Sequence, residues 1–405
     1  MSAAPGREHH WDSLRAVLML LGIPYHAAMA YNTRVLWDVQ SLEKSEALTW
    51  LSGILVTFRM PAFFIVAGYF AAMMLSRRAP MVWLRGRVVR LGVPFLTGIV
   101  LLAPPQLLFI DLKDALNGLM TVPQAMDRAA YDVTHPGFGW IMHLWFLPAL
   151  LAYSSLIAIA YALVQATGLQ PRLTQAGENL VQRRNLVLPG ILVSCILWEL
   201  SIHLVHVRLL AMPSPIAFLG AHGIDPYLRY LPFFLIGALL RAVPYLRPLV
   251  VWQHGWRLPL TASVAALVAA LLRGRTGLGL ELLYNTADAV AAILMSAWLI
   301  GWANRFWNRP ARTVDRIVDA SFTIYLLHHP LIYGLVTVFL LVAWPPVIEF
   351  LVVCLLTLAL SYAMHRLLRR SRLALFLFNG VPLRSASASA PELTPPPAPL
   401  EGTLR

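Results

Sequence analysis

Three side chains that seldom enter a bilayer stand together at the start of the first apolar stretch, WDSLRAVLMLLGIPYH: Asp12, Arg15 and His26. On an α-helix, residues eleven apart are separated by about 16 Å of rise and return to nearly the same face. Arg15 and His26 therefore share a stripe but do not touch. Placing Arg near the middle of a membrane helix costs about 2.5 to 3.5 kcal/mol, so such groups usually face a cavity or a pathway. His26 has the chemistry of a general base, because an unperturbed imidazole titrates near neutrality. Asp12 lies one turn before Arg15 and pairs with it on a helix, which leaves His26 for a reacting centre elsewhere. Structural roles fit the same residues: Asp12 as an N-cap, Arg15 snorkelling to headgroups, His26 hydrogen-bonded inside a bundle.

Further ionisable groups lie in other apolar runs. Arg59 sits inside one, before MPAFFIVAGYF, while Arg87 and Arg90 enter the third run as RVVRLGVP. A guanidinium binds phosphate through a planar fork of donors, which suits a phosphorylated donor substrate. Arg at a cytoplasmic helix end is also what topology requires. His143 stands in HLWFLPALL, and His328 and His329 in SFTIYLLHHPLI. Adjacent helical residues point about 100° apart, which predicts that His328 and His329 cannot both face one cavity squarely. Tyr325 and His328 share a face and are expected to pair in hydrogen bonds that hold an acceptor or support the base, unless they are satisfied core groups. Glu199, His203 and His206 have helical ligand spacing, but with no HExxH pattern or Cys pair no metal site is expected. Gly68 in FFIVAGYF predicts a close helix crossing.

The elements that must position these groups are membrane helices. A chain of 405 residues with 59% hydrophobic and 13% charged residues, and a mean hydropathy of +0.66, is an all-α polytopic membrane protein rather than a soluble domain. Lys and Arg exceed Asp and Glu by 32 to 19. No basic run is interleaved with stacking aromatics, so the excess reflects cytoplasmic loops and not nucleic acid. Cys195 and Cys354 both lie in apolar segments, which excludes a disulfide framework. The first apolar segment has no small-residue cleavage site after it and reads as a retained helix.

Apolar runs of about 20 residues, enough to cross the hydrocarbon core, fall near 14–32, 48–74, 89–110, 141–165, 186–206, 227–243, 256–273, 285–303, 320–342 and 346–367. That predicts a bundle of about ten transmembrane helices. Even-numbered loops carry most of the Arg, such as Arg77, Arg78, Arg85, Arg87 and Arg90 in the second, so both termini are expected in the cytoplasm. The longest external connection, 111–140, carries Asp111, Asp114, Asp132, His135 and Trp140, groups able to hold a sugar polymer. Residues 1–383 form the membrane domain, and the small, Pro-rich stretch 384–405 is expected to be a disordered cytoplasmic tail. No internal repeat is visible.

The motif of Asp12, Arg15 and His26 resembles the signature of the acyltransferase-3 family of integral membrane acyltransferases. REHHWDSLRAVLMLLGIPYH, FRMPAFFIVAGYF, RVVRLGVPFL, HLWFLPALL, YLPFFLIGALL, SFTIYLLHHPLI and FLFNGVPL resemble, in order, a member that succinylates osmoregulated periplasmic glucans. The likeness runs from about Arg7 to Leu383. It implies a multi-pass protein of the bacterial inner membrane that moves an acyl group, succinyl by this likeness, from cytosolic acyl-CoA to glucan hydroxyls. No tightly bound cofactor is implied. The implied partners are acyl-CoA, the glucan, the bilayer and other glucan-synthesis proteins. On this reading His26, Asp12 and Arg15 are catalytic, and Arg87 and Arg90 match the family's basic motif and, with Arg59, bind acyl-CoA. His143, Tyr325 and His328 serve the acceptor or support the base. Family members often have Ser where this chain has Ala67, so no hydroxyl there is essential. Two other readings compete: acetyl transfer to another envelope polysaccharide, and glycan export without chemistry.

Overall fold

The computed structural model describes residues 8–210, 212, 225–342 and 344–383; the expected tail, 384–405, lies outside them. Among the described residues every regular element is helical. In chain order these are α1 (His9–Leu20), α2 (Gly22–Met29), α3 (Glu46–Leu75), α4 (Pro80–Leu116), α5 (Val122–Thr134), α6 (Phe146–Thr167), α7 (Gln170–Gln182) and α8 (Arg184–Leu210). After these come α9 (Asp225–Arg229), α10 (Leu231–Ala242), α11 (Arg247–Val250), α12 (Arg257–Leu272), α13 (Leu278–Phe306), α14 (Arg312–Phe339), α15 (Pro346–Leu368) and α16 (Arg372–Asn379).

The ten expected runs all fall in helices, but not as ten equal spans. Among the described residues seven helices are long and apolar enough to cross a membrane, or eight if the bent pair Tyr227–Ala242 and Pro244–Val250, turned by 111°, is one span. α12 is short, with 16 residues. The first run is divided at Leu21, for a local reason: Pro24 has no N–H to offer the Leu20 carbonyl. Leu21 N to Val17 O at 2.9 Å and Tyr25 N to Leu21 O at 3.2 Å carry the chain across the break. Leu351, Leu355 and Leu358 on α15 and Leu96, Val100 and Leu101 on α4 stay exposed, as a lipid-facing surface requires.

Helix α3 is the central post. Ser45 caps it by accepting from Leu48 N, and Pro61 interrupts its hydrogen-bond ladder just beyond Arg59. Gly68 lets α10 approach so closely that a Cβ there would lie 1.9 Å from the Phe234 carbonyl oxygen, and Gly237 makes the reciprocal contact with the Ile65 carbonyl. The predicted role of Gly68 is met, with a glycine on the facing helix to complete it.

The expected external connection 111–140 is largely helical. α4 continues through Asp111 and Asp114, and α5 starts with a capping box at Thr121 and Gln124. Arg128 on α5 pairs with Asp111 at 3.2 Å and with Asp114 at 3.5 Å, so these carboxylates bind their own protein. Trp140 donates to the Asp132 carbonyl at 3.0 Å. Of the residues with ligand spacing, Glu199 pairs with Arg229 and His203 with Glu281 at 3.3 Å.

Candidate active site

Four imidazoles converge inside the bundle. His26 comes from α2, His143 from the short 3₁₀ turn Met142–Trp145, and His328 and His329 from α14. The His26 ring lies 5.3 Å from that of His328 and 4.7 Å from that of His329. The His143 ring lies 5.4 Å from His328 and stacks on His329 at 4.4 Å. As neighbours on a helix, His328 and His329 face different ways, yet both reach the other two imidazoles. Their rings stand 6.1 Å apart at 81° and grip the other two imidazoles from two sides, because His26 and His143 occupy the angle between them.

Hydrogen bonds assign a tautomer to three of the four rings. The Tyr325 carbonyl, 2.5 Å from His328 Nδ1, can only accept, so Nδ1 carries the proton and Nε2 keeps a lone pair. His143 Nε2 likewise donates to the Leu326 carbonyl at 3.1 Å, leaving Nδ1 as acceptor. Gln106 donates its amide to the Leu102 carbonyl at 2.6 Å and turns Oε1 to His329 Nδ1 at 2.6 Å. The expected pairing of Tyr325 with His328 runs through the backbone, and the Tyr325 hydroxyl donates instead to the His143 carbonyl at 2.7 Å. His26 Nδ1, His143 Nδ1 and His328 Nε2 are buried with no hydrogen-bond partner among the described residues. Buried polar atoms are nearly always satisfied, so three open nitrogens in one place have the capacity to take a ligand or a proton.

Arg59 belongs to this cluster and not to the other arginines. Its guanidinium lies over the Tyr25 ring at 4.7 Å. A Cβ on Gly22 would come 3.0 Å from His328 Nε2 and 3.3 Å from Arg59 Nη1, so the bare backbone of Gly22 faces both groups. A buried cation beside an imidazole lone pair is what a transfer through a developing oxyanion requires.

Arg15, Arg87 and Arg90 meet at a second place. They line a cavity of about 300 Å³ whose other walls include Phe63, Ala67, Trp83, Phe146 and Phe322. Arg15 pairs with Asp12 at 3.4 Å and lies over Phe70 at 5.3 Å. Arg87 donates to the Ser154 hydroxyl at 3.3 Å. The structure thus separates the motif, with Asp12 and Arg15 at the arginine cavity and His26 in the histidine cluster. One aromatic layer lies between. Phe146 lines the cavity, and its ring is 5.4 Å from Tyr325, which bonds the backbone of His143.

Reading the sequence missed Gln106, Tyr25, Trp37 and Gly22. Gln106 had a signal, a lone amide in the apolar run 89–110. Trp37 had none: it lies in the turn after α2, and its ring stacks near His26 at 6.1 Å.

A polytopic helical bundle with basic and imidazole sites inside it matches a known class. The family model described as acyltransferase domain, acyltransferase 3, matches residues 8–366, and the chain belongs to that family. It is 30% identical over 389 residues to glucans biosynthesis protein C of Escherichia coli strain K12, covering 93% of this chain and 95% of the relative. The proteins of the same name from Escherichia coli O6:K15:H31 and Shigella dysenteriae serotype 1 match to the same extent. No solved structure matches the chain.

Proposed function

We propose that this acyltransferase moves a succinyl group from cytosolic acyl-CoA to hydroxyls of osmoregulated periplasmic glucans, as a ten-span protein of the bacterial inner membrane with both termini in the cytoplasm. The observation that carries the reading is the pairing of an arginine-lined cavity with a cluster of open imidazole nitrogens one aromatic layer away. The relatives' name supplies the glucan.

In this reading Arg15, Arg87 and Arg90 bind the phosphates of the donor and the aromatic walls take its apolar arm. A glucan hydroxyl oxygen attacks the thioester carbonyl while its proton passes to His26. Arg59 stabilises the oxyanion of the tetrahedral intermediate. That intermediate collapses as the C–S bond breaks, and the departing sulfur takes the proton back from His26. The products are a glucan ester and free CoA. His143, His328 and His329 hold the geometry, and the Tyr325 hydroxyl anchors the turn that carries His143.

The test is the mass and charge of periplasmic glucans from cells lacking the protein and from the same cells with it restored. Anionic glucans heavier by a succinyl unit, present only on restoration, are expected. An added acetyl mass would contradict the donor, and an unchanged glucan would contradict the acceptor.

A further inference from the structure

A second cavity, of about 260 Å³, lies between α8, α9, α10, α13 and the stretch of α3 around Pro61. Its walls carry the chemistry of a sugar site. Trp198, Tyr230 and Tyr284 supply aromatic surface, the two tyrosines with a hydroxyl each, and Glu199, Arg229 and Asp288 supply charged hydrogen-bonding groups. The Trp198 indole N–H is committed to the Leu228 carbonyl at 3.0 Å, and Tyr230 is stacked on Phe64 at 5.2 Å, so both rings are held in place. Glu199 is buried and bonded to Arg229. Asp288 Oδ1 is buried with no hydrogen-bond partner among the described residues.

Two features separate this cavity from the donor cavity. Among the described residues its two carboxylates face Arg229 and Arg273, the latter within electrostatic reach of Tyr284 and Asp288, whereas three guanidiniums line the donor cavity and no carboxylate is in its walls. Balanced charge suits a neutral polyhydroxyl ligand and gives no attraction to a polyphosphate. The volume is slightly below the roughly 300 to 1,000 Å³ of drug-sized ligand sites, which suits one sugar residue and not a polymer.

The cavity also communicates with the histidines. Arg273 lies within electrostatic reach of Tyr25, whose ring packs against His26 at 4.7 Å and carries Arg59 on its face. Pro61, in the cavity wall, stands two residues beyond Arg59. We infer that this cavity is the acceptor subsite, in which Asp288, Glu199 and Arg229 bind the hydroxyls of one neutral sugar residue while a further hydroxyl reaches toward His26. The inference rests on the acyltransferase reading above.

The experiment is calorimetric binding of periplasmic glucan, stripped of acyl groups by mild base, to the full purified chain. Consumption of succinyl-CoA is followed in parallel. Wild type and His26→Ala are expected to bind the glucan alike. Asp288→Asn, which keeps size and shape, is expected to bind about tenfold or more weakly, and Tyr284→Phe several-fold more weakly, at unchanged affinity for acyl-CoA. Equal glucan binding by wild type, Asp288→Asn and Tyr284→Phe, alongside normal succinyl transfer, would overturn the subsite and leave the enzyme reading standing. Glucan binding that depends on Asp288 without any consumption of succinyl-CoA would sustain the subsite and contradict the enzyme reading. Absence of glucan binding by wild type would overturn the subsite.

Discussion

Two polar clusters stand at opposite ends of the stretch formed by α1 and α2. At its start, Glu8 accepts from Arg247 Nη1 at 2.7 Å and from the Tyr69 hydroxyl, Arg247 Nη2 donates to that hydroxyl at 2.5 Å, and Trp11 stacks on Tyr69 at 4.1 Å. At its end, His26 meets His328 and His329, which His143 joins, and three ring nitrogens have no partner among the described residues. The first cluster ties the chain start to α3 and α11 through Glu8, Arg247 and the Tyr69 hydroxyl, which engage one another, while the buried Trp11 indole nitrogen beside them has no hydrogen-bond partner among the described residues. The second leaves acceptors open in a place where each open group costs about 1 to 3 kcal/mol. Burial and polarity are common to both. What separates them is that the carboxylate, guanidinium and hydroxyl of the first pair with one another, while three imidazole nitrogens of the second do not find partners among the described residues.

Breaking the open cluster should cost rate and not stability. His328→Ala is expected to lower kcat for transfer by about 100-fold with an unchanged unfolding temperature, read by acyl-CoA consumption beside thermal melting. A loss of folded protein instead would make His328 a core residue. The arginine cavity offers a smaller effect of a different kind. Arg87→Ala should raise KM for acyl-CoA by about tenfold, with little change in kcat, because it removes binding and not a transition-state contact.

Breaking the closed cluster should show the reverse. Arg247→Met is expected to destabilise the protein by about 1 kcal/mol, a modest figure because 38% of the Glu8 side chain still reaches solvent. Activity per folded molecule should be unchanged. The smallest effect is in pH. Burial pushes the Glu8 carboxyl up, but the Tyr69 hydrogen bond and the Arg247 charge outweigh it and hold the group below its ordinary 4.5. A depressed carboxyl stabilises the fold above its unfolded value and loses that stabilisation as pH falls through the folded one. The stability advantage of wild type over Glu8→Gln should therefore be constant at neutral pH and fade below about 4.5. A constant advantage down to pH 2 would show that Glu8 is not the titrating group.

Much of this was legible in the residues. Apolar runs located every long helix, since a hydrophobic stretch of that length has few other destinations. The eleven-residue separation of Arg15 and His26 placed them at different sites. What the sequence could not show were contacts between distant helices. Gly237 opposite Gly68, and His143 between His328 and His329, depend on crossing geometry that no local spacing encodes. Arg59 was singled out for its apolar surroundings, but its grouping with Arg87 and Arg90 followed charge type and not position. The 100° between neighbours describes Cα–Cβ directions, and it did not show that long side chains such as those of His328 and His329, with rings at 81°, still reach partners seated between them.

The most direct test uses purified protein in vesicles with succinyl-CoA supplied to the arginine-cavity face and acyl-free glucan to the other. Transfer by wild type is compared with His26→Ala at matched folded protein. The open cluster predicts a loss of about 10² to 10⁴-fold with unfolding temperature and acyl-CoA affinity unchanged. Equal transfer by His26→Ala would contradict the account and make the histidine cluster, like the Glu8 cluster, part of the scaffold.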